Sequence, residues 1–411
     1  MNKKQLLQMM FAICIGALLT TGCSNEEWAP TPGMGNEDAS IVFNLGLPLG
    51  DEVSYTKAAD AATPLQDATE WTLKTLKVYH FGTATDQTPT DTDYKLVAAY
   101  NVPVYDASQT DAMGKCIKTA DAKYTVKLSL RDDGKGTNKH NKFIFIANDS
   151  CSTFDQKIEK ATAAEKAIIT LDELKKCVAD KQITDETANS SLFFGDPAGL
   201  CMTAEASADA LKSSQDNSIQ DIALTRIMAR LDVKDFVPQS SNFRIKSVRI
   251  KCDSHAALSG SLFSGVAGLW EADKTLVTEQ APEYTEKGYL LPGATDYLNE
   301  QWVSTVTTDG RTGTWYKKVL YMYERPREIN TNAISALKAE VTYSLNGWET
   351  STIVDMRNVA GNTFDIQRNH VYTLQIGQTQ ADGGKLIFTF TDTPWTLHEM
   401  DADLNGGTKD E

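Results

Sequence analysis

The sequence has few of the residues from which catalytic and metal sites are usually built. Its 411 residues include only five histidines, which are scattered along the chain. It contains no GxSxG, HExxH, P-loop or glycine-rich dinucleotide motif, and no paired acid and base stand out. We therefore expect no enzyme, no metal site and no cofactor, and we rank a hydrolase as the most distant alternative.

Cysteine is also scarce. Five cysteines remain once Cys14 and Cys23 in the leader region are set aside. Their odd number and the lack of a CxxC pair exclude a zinc ribbon and a complete disulfide framework. Most should be small core residues, although one or two disulfides remain open in an oxidising compartment and the sequence does not pair them. The five are Cys116, Cys151, Cys177, Cys201 and Cys252.

Positive charge is under-represented. The chain has 40 lysines and arginines against 55 aspartates and glutamates, which gives a formal net charge of −15. A field of this sign repels phosphate, so we expect no nucleic-acid partner. The hydrophobic content of 41% and the charged content of 23% are typical of a globular protein. The length corresponds to about two or three domains.

The apolar run near the start is too short to span a bilayer. It covers residues 9–19 after a short basic stretch, which is typical of a secretory signal. Residues 19–22, directly before Cys23, resemble a lipobox, the signal at which bacterial lipoproteins are cut and acylated. We predict a signal peptide over residues 1–22 and lipidation of Cys23, whose acyl chains would anchor the product to a membrane.

The residues after Cys23 indicate export to the cell surface. Residues 24–27 place two glutamates beside the lipidated position, and they resemble the export signal of Bacteroidetes lipoproteins. The prolines and glycines that follow are typical of a solvated tether, and both interpretations can hold together. We therefore expect a surface-exposed protein of the outer membrane, attached through Cys23.

Alternation of apolar and polar residues predicts strands over most of the remaining chain. Residues 143–146 are apolar on both faces and should form a central strand. The predicted fold class is therefore mainly β. The alternating segments are residues 41–47, 124–130, 227–233, 337–345 and 372–376.

One segment favours helix instead. Residues 154–180 are rich in Ala, Glu, Lys, Leu and Ile, and Thr170 with Glu173 fits a capping box. The apolar face of this predicted helix extends to Val178. We interpret the segment as a helical insertion in an N-terminal β domain. A change of composition at residues 238–241 predicts the linker to a C-terminal domain.

Several segments, in their order along most of the chain, resemble one known family. Besides the lipobox, they are residues 41–47, 55–59, 76–81, 224–233, 320–326, 368–372 and 393–395. Together they resemble the Bacteroidales fimbrillins, the type V pilins. In this resemblance, residues 224–233 correspond to the strand that closes the N-terminal domain. The helical segment and residues 270–315 have no counterpart.

The resemblance implies two transthyretin-like β-sandwich domains, at residues 58–236 and 237–384, with the helical insertion in the first. It also implies assembly by strand exchange. A removable first strand within residues 23–57 fills a groove until a trypsin-like surface protease releases it. The C-terminal strand and tail of the next subunit, at residues 385–411, then enter the groove and build a fimbrium. The implied partners are other copies of the chain and related fimbrial subunits.

The residues themselves offer a processing site. No lysine or arginine occurs between Lys4 and Lys57, so Lys57 is the first tryptic site after the membrane anchor. Small and polar residues surround it, as is typical of an exposed loop. We predict cleavage between Lys57 and Ala58, the alternative being that Lys57 is an ordinary surface lysine.

A donor strand is offered near the C-terminus. Leu386, Phe388 and Phe390 lie on one face of a strongly β-prone segment and could fill the pockets of a groove. In the alternative, this strand completes its own domain and the tail at residues 395–404 donates.

Three functions compete. We favour a structural pilin of a cell-surface fimbria that supports adhesion to a receptor the sequence does not identify. The second is an anchor subunit that keeps its lipid, or a tip subunit without a donor tail. The third is a surface lipoprotein that binds glycan, although aromatic residues of β domains lie more often in the core. The tryptophans considered for this role are Trp270, Trp302, Trp315 and Trp348.

Overall fold

The structure is a computed structural model, and it is mainly β, as the sequence predicts. Its described part contains eighteen strands, three short α-helices and one 3-10 helix, Gln239–Ser241. In that part, no helix has the length and apolar character needed to cross a bilayer. Cys23, Lys57, Ala58 and the tail from Trp395 onward lie outside it. The described residues are 40–47, 72–106, 113–120, 122–130, 138–180, 199–211, 216–251, 261–263, 289–291, 303–308, 310–324, 338–356, 366–378 and 386–394.

The first sheet is formed by the N-terminal strands and curls back on itself. Its strands are β1 Ser40–Gly46, β2 Thr75–Thr83, β3 Lys95–Tyr105, β4 Lys115–Ala120, β5 Lys123–Ser129, β6 His140–Ala147, β7 Met202–Asp209, β8 Asp216–Ala223 and β9 Thr225–Arg226. Their spatial order is β8-β1-β5-β4-β3-β2-β6-β7-β9. Phe43 of β1 and Phe143 of β6 are distant in this order, yet their ring centroids lie 4.8 Å apart. The two halves of the sheet therefore face each other around an apolar core, as in a sandwich.

Strand β6 is a buried interior strand of this sheet, as its apolar sequence predicts. It pairs with β2 on one edge and β7 on the other. Phe143 and Phe145 pack inside the curled sheet, in what we call the inner core. Ile144 and Ile146 point to the opposite side and join a second cluster, the outer core. Burial on both faces favours apolar residues at successive positions, which explains why residues 143–146 do not alternate.

Two further sheets are formed mostly by the C-terminal half. Their strands are β10 Met228–Asp235, β11 Arg244–Lys251, β12 Tyr289–Leu291, β13 Val303–Thr308, β14 Arg311–Tyr323, β15 Lys338–Leu345, β16 Trp348–Asp355, β17 His370–Gln378 and β18 Leu386–Pro394. One sheet has the order β13-β14-β10-β17-β18 and the other the order β12-β11-β15-β16. Buried residues of β10, β11, β15 and β17 belong to the outer core, which these sheets share with β2 and β6.

The partners of β10 lie in the C-terminal half of the chain. The resemblance assigned residues 224–233 to the strand that closes the N-terminal domain. Strand β10, which includes residues 228–233 of that segment, pairs antiparallel with β14 and parallel with β17, at the centre of the five-stranded sheet. Both of its faces are buried, which suits a central position. Pairing alone does not delimit domains, so the boundary at residues 236 and 237 stays a prediction.

One face of β10 belongs to the outer core, and the opposite face carries a buried ion pair between Arg230 and Asp232. Arg230 donates from Nε and from a terminal nitrogen to the two carboxylate oxygens of Asp232, at 2.9 Å each. Trp315 on β14 donates from Nε1 to the same carboxylate at 3.2 Å. A buried carboxylate is tolerated where such donors replace the water it has lost.

Three short helices lie between β6 and β7. Thr162 and Glu165 form a capping box at the second, and the Thr170 hydroxyl accepts from the backbone nitrogen of Glu173 at the third. Val178, expected on the apolar helical face, lies beyond the last helix and is 39% exposed. The helices are α1 Ser152–Lys160, α2 Ala163–Lys166 and α3 Leu171–Lys175.

A ring of four charged side chains ties α3 to the curled sheet. Lys175 Nζ lies 2.9 Å from oxygens of both Asp91 and Glu205. Lys142 Nζ on β6 lies 2.6 Å from Glu205 and 3.3 Å from Asp91. Burial raises the pKa of each carboxyl, but hydrogen bonds and charge from the two lysines outweigh it, so both pKa values are lowered. The ring is therefore strongest when both carboxyls are ionised.

We expect the contribution of this ring to depend on pH. Because the folded pKa values lie below the unfolded ones, the stabilisation is complete above about pH 5 and disappears as the pH falls through the folded values. Lys175→Met should lower the free energy of unfolding by about 0.5–1 kcal/mol at pH 7 and by much less at pH 3. Urea unfolding at both pH values measures this. Lys176→Met is the control, because Lys176 is exposed and pairs with Asp172 of α3 itself, outside the ring. An equal loss at both pH values for Lys175→Met would contradict the expectation.

Candidate functional site

The first strand lies inside its sheet rather than at an edge. Over seven residues β1 pairs antiparallel with β5, with Ser40 opposite Ser129. On its other edge it pairs parallel with β8, with Ser40 opposite Asp216. Among the described strands, β8 pairs with β1 alone. β1 is therefore the link through which β8 is hydrogen-bonded to the sheet.

Alternate side chains of β1 fill the inner core. Ile41, Phe43 and Leu45 are all buried, which confirms the predicted alternation. The Phe43 ring meets the rings of Phe143 and Phe145 edge to face, with centroids 4.8 and 5.1 Å apart. Burying one such side chain stabilises a fold by roughly 1.5–3 kcal/mol. These residues of β1 are therefore a substantial part of the core.

Polar contacts fix the register of β1. Asn217 on β8 donates from Nδ2 to the carbonyl oxygen of Ser40 at 3.1 Å. On the other side, the Thr125 hydroxyl of β5 donates to Asn44 Oδ1 at 3.0 Å. A slip of one residue would break both contacts and turn the apolar side chains of β1 away from the core. The position of β1 between β5 and β8, which we call its seat, therefore accepts β1 in one register only.

The covalent connection from β1 to β2 runs through residues outside the described ranges. Residues 48–71 form this connection and include Lys57 and Ala58. Cleavage between these two residues therefore stays a prediction, as does lipidation of Cys23. If the chain is cut there, β1 is attached to the rest of the protein by noncovalent contacts alone.

Asn148 holds the chain where the described structure resumes before β2. Its Oδ1 accepts from the backbone nitrogens of Lys74 and Thr75, at 2.8 and 3.3 Å. Its Nδ2 donates to the carbonyl oxygens of Thr72 and Leu200, at 2.7 and 2.9 Å. The side chain is buried, so water cannot replace these bonds. The start of β2 is thus fixed by contacts in which β1 takes no part.

Gly199 makes room for this Asn148 network. Its φ is +73°, and a Cβ there would lie 2.6 Å from Asn148 Nδ2 and 2.7 Å from the oxygen of Thr72. The positive φ disfavours other residue types, and the short distances leave no room for a Cβ atom, so this position requires glycine. Sequence reasoning missed the network, because Thr72 and Leu200 lie 76 and 52 positions from Asn148. The one local signal is an asparagine after a buried strand, a residue type that tolerates its φ of 61°.

The predicted donor residues lie on an edge strand. β18 pairs antiparallel with β17 over nine residues, at the end of the five-stranded sheet. Phe390 is buried, and Leu386 and Phe388 are half-buried against the outer core. In this structure β18 completes its own sheet, which is the alternative that the sequence left open. Donation by Leu386, Phe388 and Phe390 stays a prediction.

The tryptophans do not form a platform within the described ranges. Trp315 is buried and bonded to Asp232, whereas Trp348 is 82% exposed at the start of β16. Trp270 and Trp302 lie outside the described residues. Within the described ranges, no three or more His, Cys, Asp or Glu side chains are grouped so that they could hold a metal ion.

Comparison with known proteins gives structural neighbours only. No family model and no curated protein match the chain. Its structural neighbours are Bacteroidales fimbrial proteins at low sequence identity. The tip fimbrial protein Mfa3 from Porphyromonas gingivalis, with a C-terminal truncation, is 11% identical with a TM-score of 0.44, covering 87% of this chain and 100% of that one. A fimbrial assembly protein from Parabacteroides distasonis is 12% identical with a TM-score of 0.39, covering 87% of this chain and 98% of that one. The function is therefore inferred from the strands and residues of the chain itself.

We expect Asn148→Ala to destabilise the protein by about 2–4 kcal/mol, because it leaves buried backbone groups without partners. Chemical unfolding of the purified full chain measures this loss. Asn346→Ala is the matched control, since Asn346 also has a positive φ but lies at an exposed turn. Similar losses for both variants would show that φ, rather than the Asn148 hydrogen bonds, determines the effect.

Proposed function

We propose that the protein is a structural subunit, a stalk pilin, of a cell-surface fimbria. It is exported as a lipoprotein through Cys23, processed after Lys57 and polymerised by strand exchange, and the fibre supports adhesion. In this proposal residues 58–236 and 237–384 form two transthyretin-like sandwich domains, with the helices as an insertion in the first. The observation that carries the proposal is the position of β1, a doubly paired strand that fills the core.

Release of β1 would open a groove between β5 and β8. Both flanking strands would then present backbone N–H and C=O groups along the gap, and Phe143 and Phe145 would lose their contact with Phe43. Open strand edges beside apolar pockets are what an added strand recognises. An entering strand would bond on two sides at once, which a strand added at an edge does not.

The entering strand comes from the C-terminus of another copy. Leu386, Phe388 and Phe390 repeat the spacing of the three core residues of β1, with a phenylalanine again at the middle position. Releasing β18 would, however, break its pairing with β17 and expose Phe390. A tail beginning near Trp395 would donate without that loss, so it is the second form of the donor. Either insertion is head to tail and does not close, so it builds a filament.

The alternative roles differ in whether the N-terminal segment is removed and whether the chain polymerises. An anchor subunit would keep both β1 and the acylated Cys23. A tip subunit would be processed but would donate no strand, and a glycan-binding lipoprotein would stay uncut and monomeric. The N-terminus of protein sheared from cells therefore separates processed from uncut subunits, and the oligomeric state separates a donating stalk subunit from a tip subunit. A chain that begins at Ala58 and runs as a heat-labile ladder supports the stalk pilin.

We expect Lys57→Ala to block processing and polymerisation, because Lys57 is the only lysine or arginine between Lys4 and Lys74, the residue directly before β2. The precursor should remain folded, since β1 stays in place. Lys57→Arg is the matched control and should be cut and polymerise normally. N-terminal sequencing and electrophoresis of surface protein measure both outcomes, and fibres of normal length from Lys57→Ala would refute processing at this site.

We expect Phe43→Ala to weaken the seat of β1. The loss of a buried phenylalanine should lower the free energy of unfolding of the precursor by about 3–5 kcal/mol and speed the release of β1 after trypsin treatment. Val42→Ala is the control, because Val42 is only half-buried on the other face of β1. Chemical unfolding and size-exclusion chromatography of the cut protein measure the two effects. Equal behaviour of the two variants would contradict a seat based on core filling.

A further inference from the structure

Two cysteine side chains meet at the base of the helical segment. Cys151 directly precedes α1, and Cys177 follows α3. Both are buried in the outer core, together with Phe154 of α1 and Leu174 of α3. The Cys177 thiol faces the carbonyl oxygen of Glu173 at 3.8 Å and lies within interaction distance of the Cys151 thiol. Neither cysteine is in a disulfide in this structure.

Asp180 holds the backbone on both sides of this contact. Its carboxylate accepts from the backbone nitrogen and the hydroxyl of Ser152, each at 2.9 Å. Its backbone nitrogen donates to the carbonyl oxygen of Ser150 at 3.1 Å. Both neighbours of Cys151 are therefore tied to a residue three positions after Cys177. The two sulfurs stay side by side as long as these bonds persist.

The surroundings of Cys151 favour its reactive form. The interaction with the Cys177 thiol lowers the pKa of Cys151 to about 7 in spite of its burial, with the Thr153 hydroxyl and the Phe154 backbone nitrogen contributing further. The same contact and burial raise the pKa of Cys177. The pair therefore loses its first proton, from Cys151, at a lower pH than an isolated thiol would, while Cys177 stays protonated. A thiolate is the species that attacks a disulfide.

We infer that Cys151 and Cys177 are a redox-active pair that closes to a disulfide under oxidising conditions and locks the helical segment. The inference rests on the proposed function in one respect, since export from the cytoplasm would supply those conditions. Cys116 is not a competing partner in the folded protein, because it lies in the inner core, apart from this pair.

The oxidant is a second disulfide, RSSR. The Cys151 thiolate attacks one of its sulfurs, which forms a mixed disulfide and releases RS⁻. The Cys177 thiolate then attacks the Cys151 sulfur, which forms the protein disulfide and releases the second RS⁻. The two thiol protons end on two RSH molecules, and two electrons pass from the protein to the oxidant. Because both sulfurs are buried, the first attack takes place during folding or local opening of the segment.

Closure would hold the three helices against the sheet. The segment between the two cysteines contains α1, α2 and α3, and its buried side chains pack in the outer core with residues of β2 and β6. A covalent loop restricts the ways in which such a segment can open. Oxidation should therefore protect the lysines of the helices from protease.

Peptide mapping of the purified full chain tests the inference. The protein is incubated with oxidised glutathione or with a reductant, its remaining thiols are alkylated, and it is digested with trypsin. We expect a linked pair of peptides, residues 143–157 and 177–181, after oxidation, with a mass about 2 Da below the sum of the free peptides. Alkylated Cys151 and Cys177 after oxidation, or linkage of either to another cysteine, would overturn it. Export and polymerisation play no part in this experiment, so its failure leaves the proposed function standing.

Matched variants provide the controls. Cys201→Ser alters another buried cysteine of the outer core and should leave the linked peptides unchanged. Cys177→Ser should abolish them. Brief trypsin treatment before denaturation gives a second readout, in which oxidation of the natural chain should slow cleavage after Lys157 and Lys166 by about tenfold. This comparison of oxidised and reduced natural chain needs no variant. Equal cleavage rates in the two forms would refute the lock.

Discussion

The hydrogen bonding of β1 along both of its edges is the constraint on which the curled sheet depends. On one side it completes the antiparallel ladder of β5, and on the other it connects β8 to the sheet. Its apolar face also closes the inner core, where Phe43 meets two rings from the opposite half of the sheet. The same seven residues of β1 therefore both pair with two neighbouring strands and fill the inner core. Any strand that replaced β1 would have to satisfy both.

The rest of the molecule is held by contacts that do not involve β1. Its buried side chains belong to the inner core, and none of them belongs to the outer core that joins the helices and the C-terminal sheets. Asn148 fixes the entry to β2, and the ring around Lys142 and Lys175 holds α3. The effect of losing β1 should therefore be concentrated in one half of the structure. This division would suit the strand exchange proposed above, because the contacts of the outer core do not depend on β1.

Local patterns in the sequence were sufficient to predict many strands but few of their partners. Alternation identified β1, β5, β15 and β17, and a run of apolar residues identified β6, because burial of one or two faces acts directly on residue type. Alternation carries no information about which neighbour a strand pairs with, so the pairing of β10 with β14 and β17 could not be predicted. The bonds of Asn148 and the contact of Cys151 with Cys177 join distant positions, and only the folded chain brings them together. Lys57 was identified by charge spacing, which does not depend on the fold.

The direction of the β1 ladders has a mechanical consequence. Hydrogen bonds between antiparallel strands lie across the strand axis, so a pull along that axis loads all of them together in shear. A strand between β5 and β8 has an antiparallel ladder on one edge and a parallel ladder, with slanted bonds, on the other, and both ladders would be loaded together. Its bulky side chains would also have to leave their pockets in the same movement. A junction of this kind resists stretching much better than peeling. A fibre built from it would tolerate tension from flowing liquid while its subunits remain joined without a covalent bond.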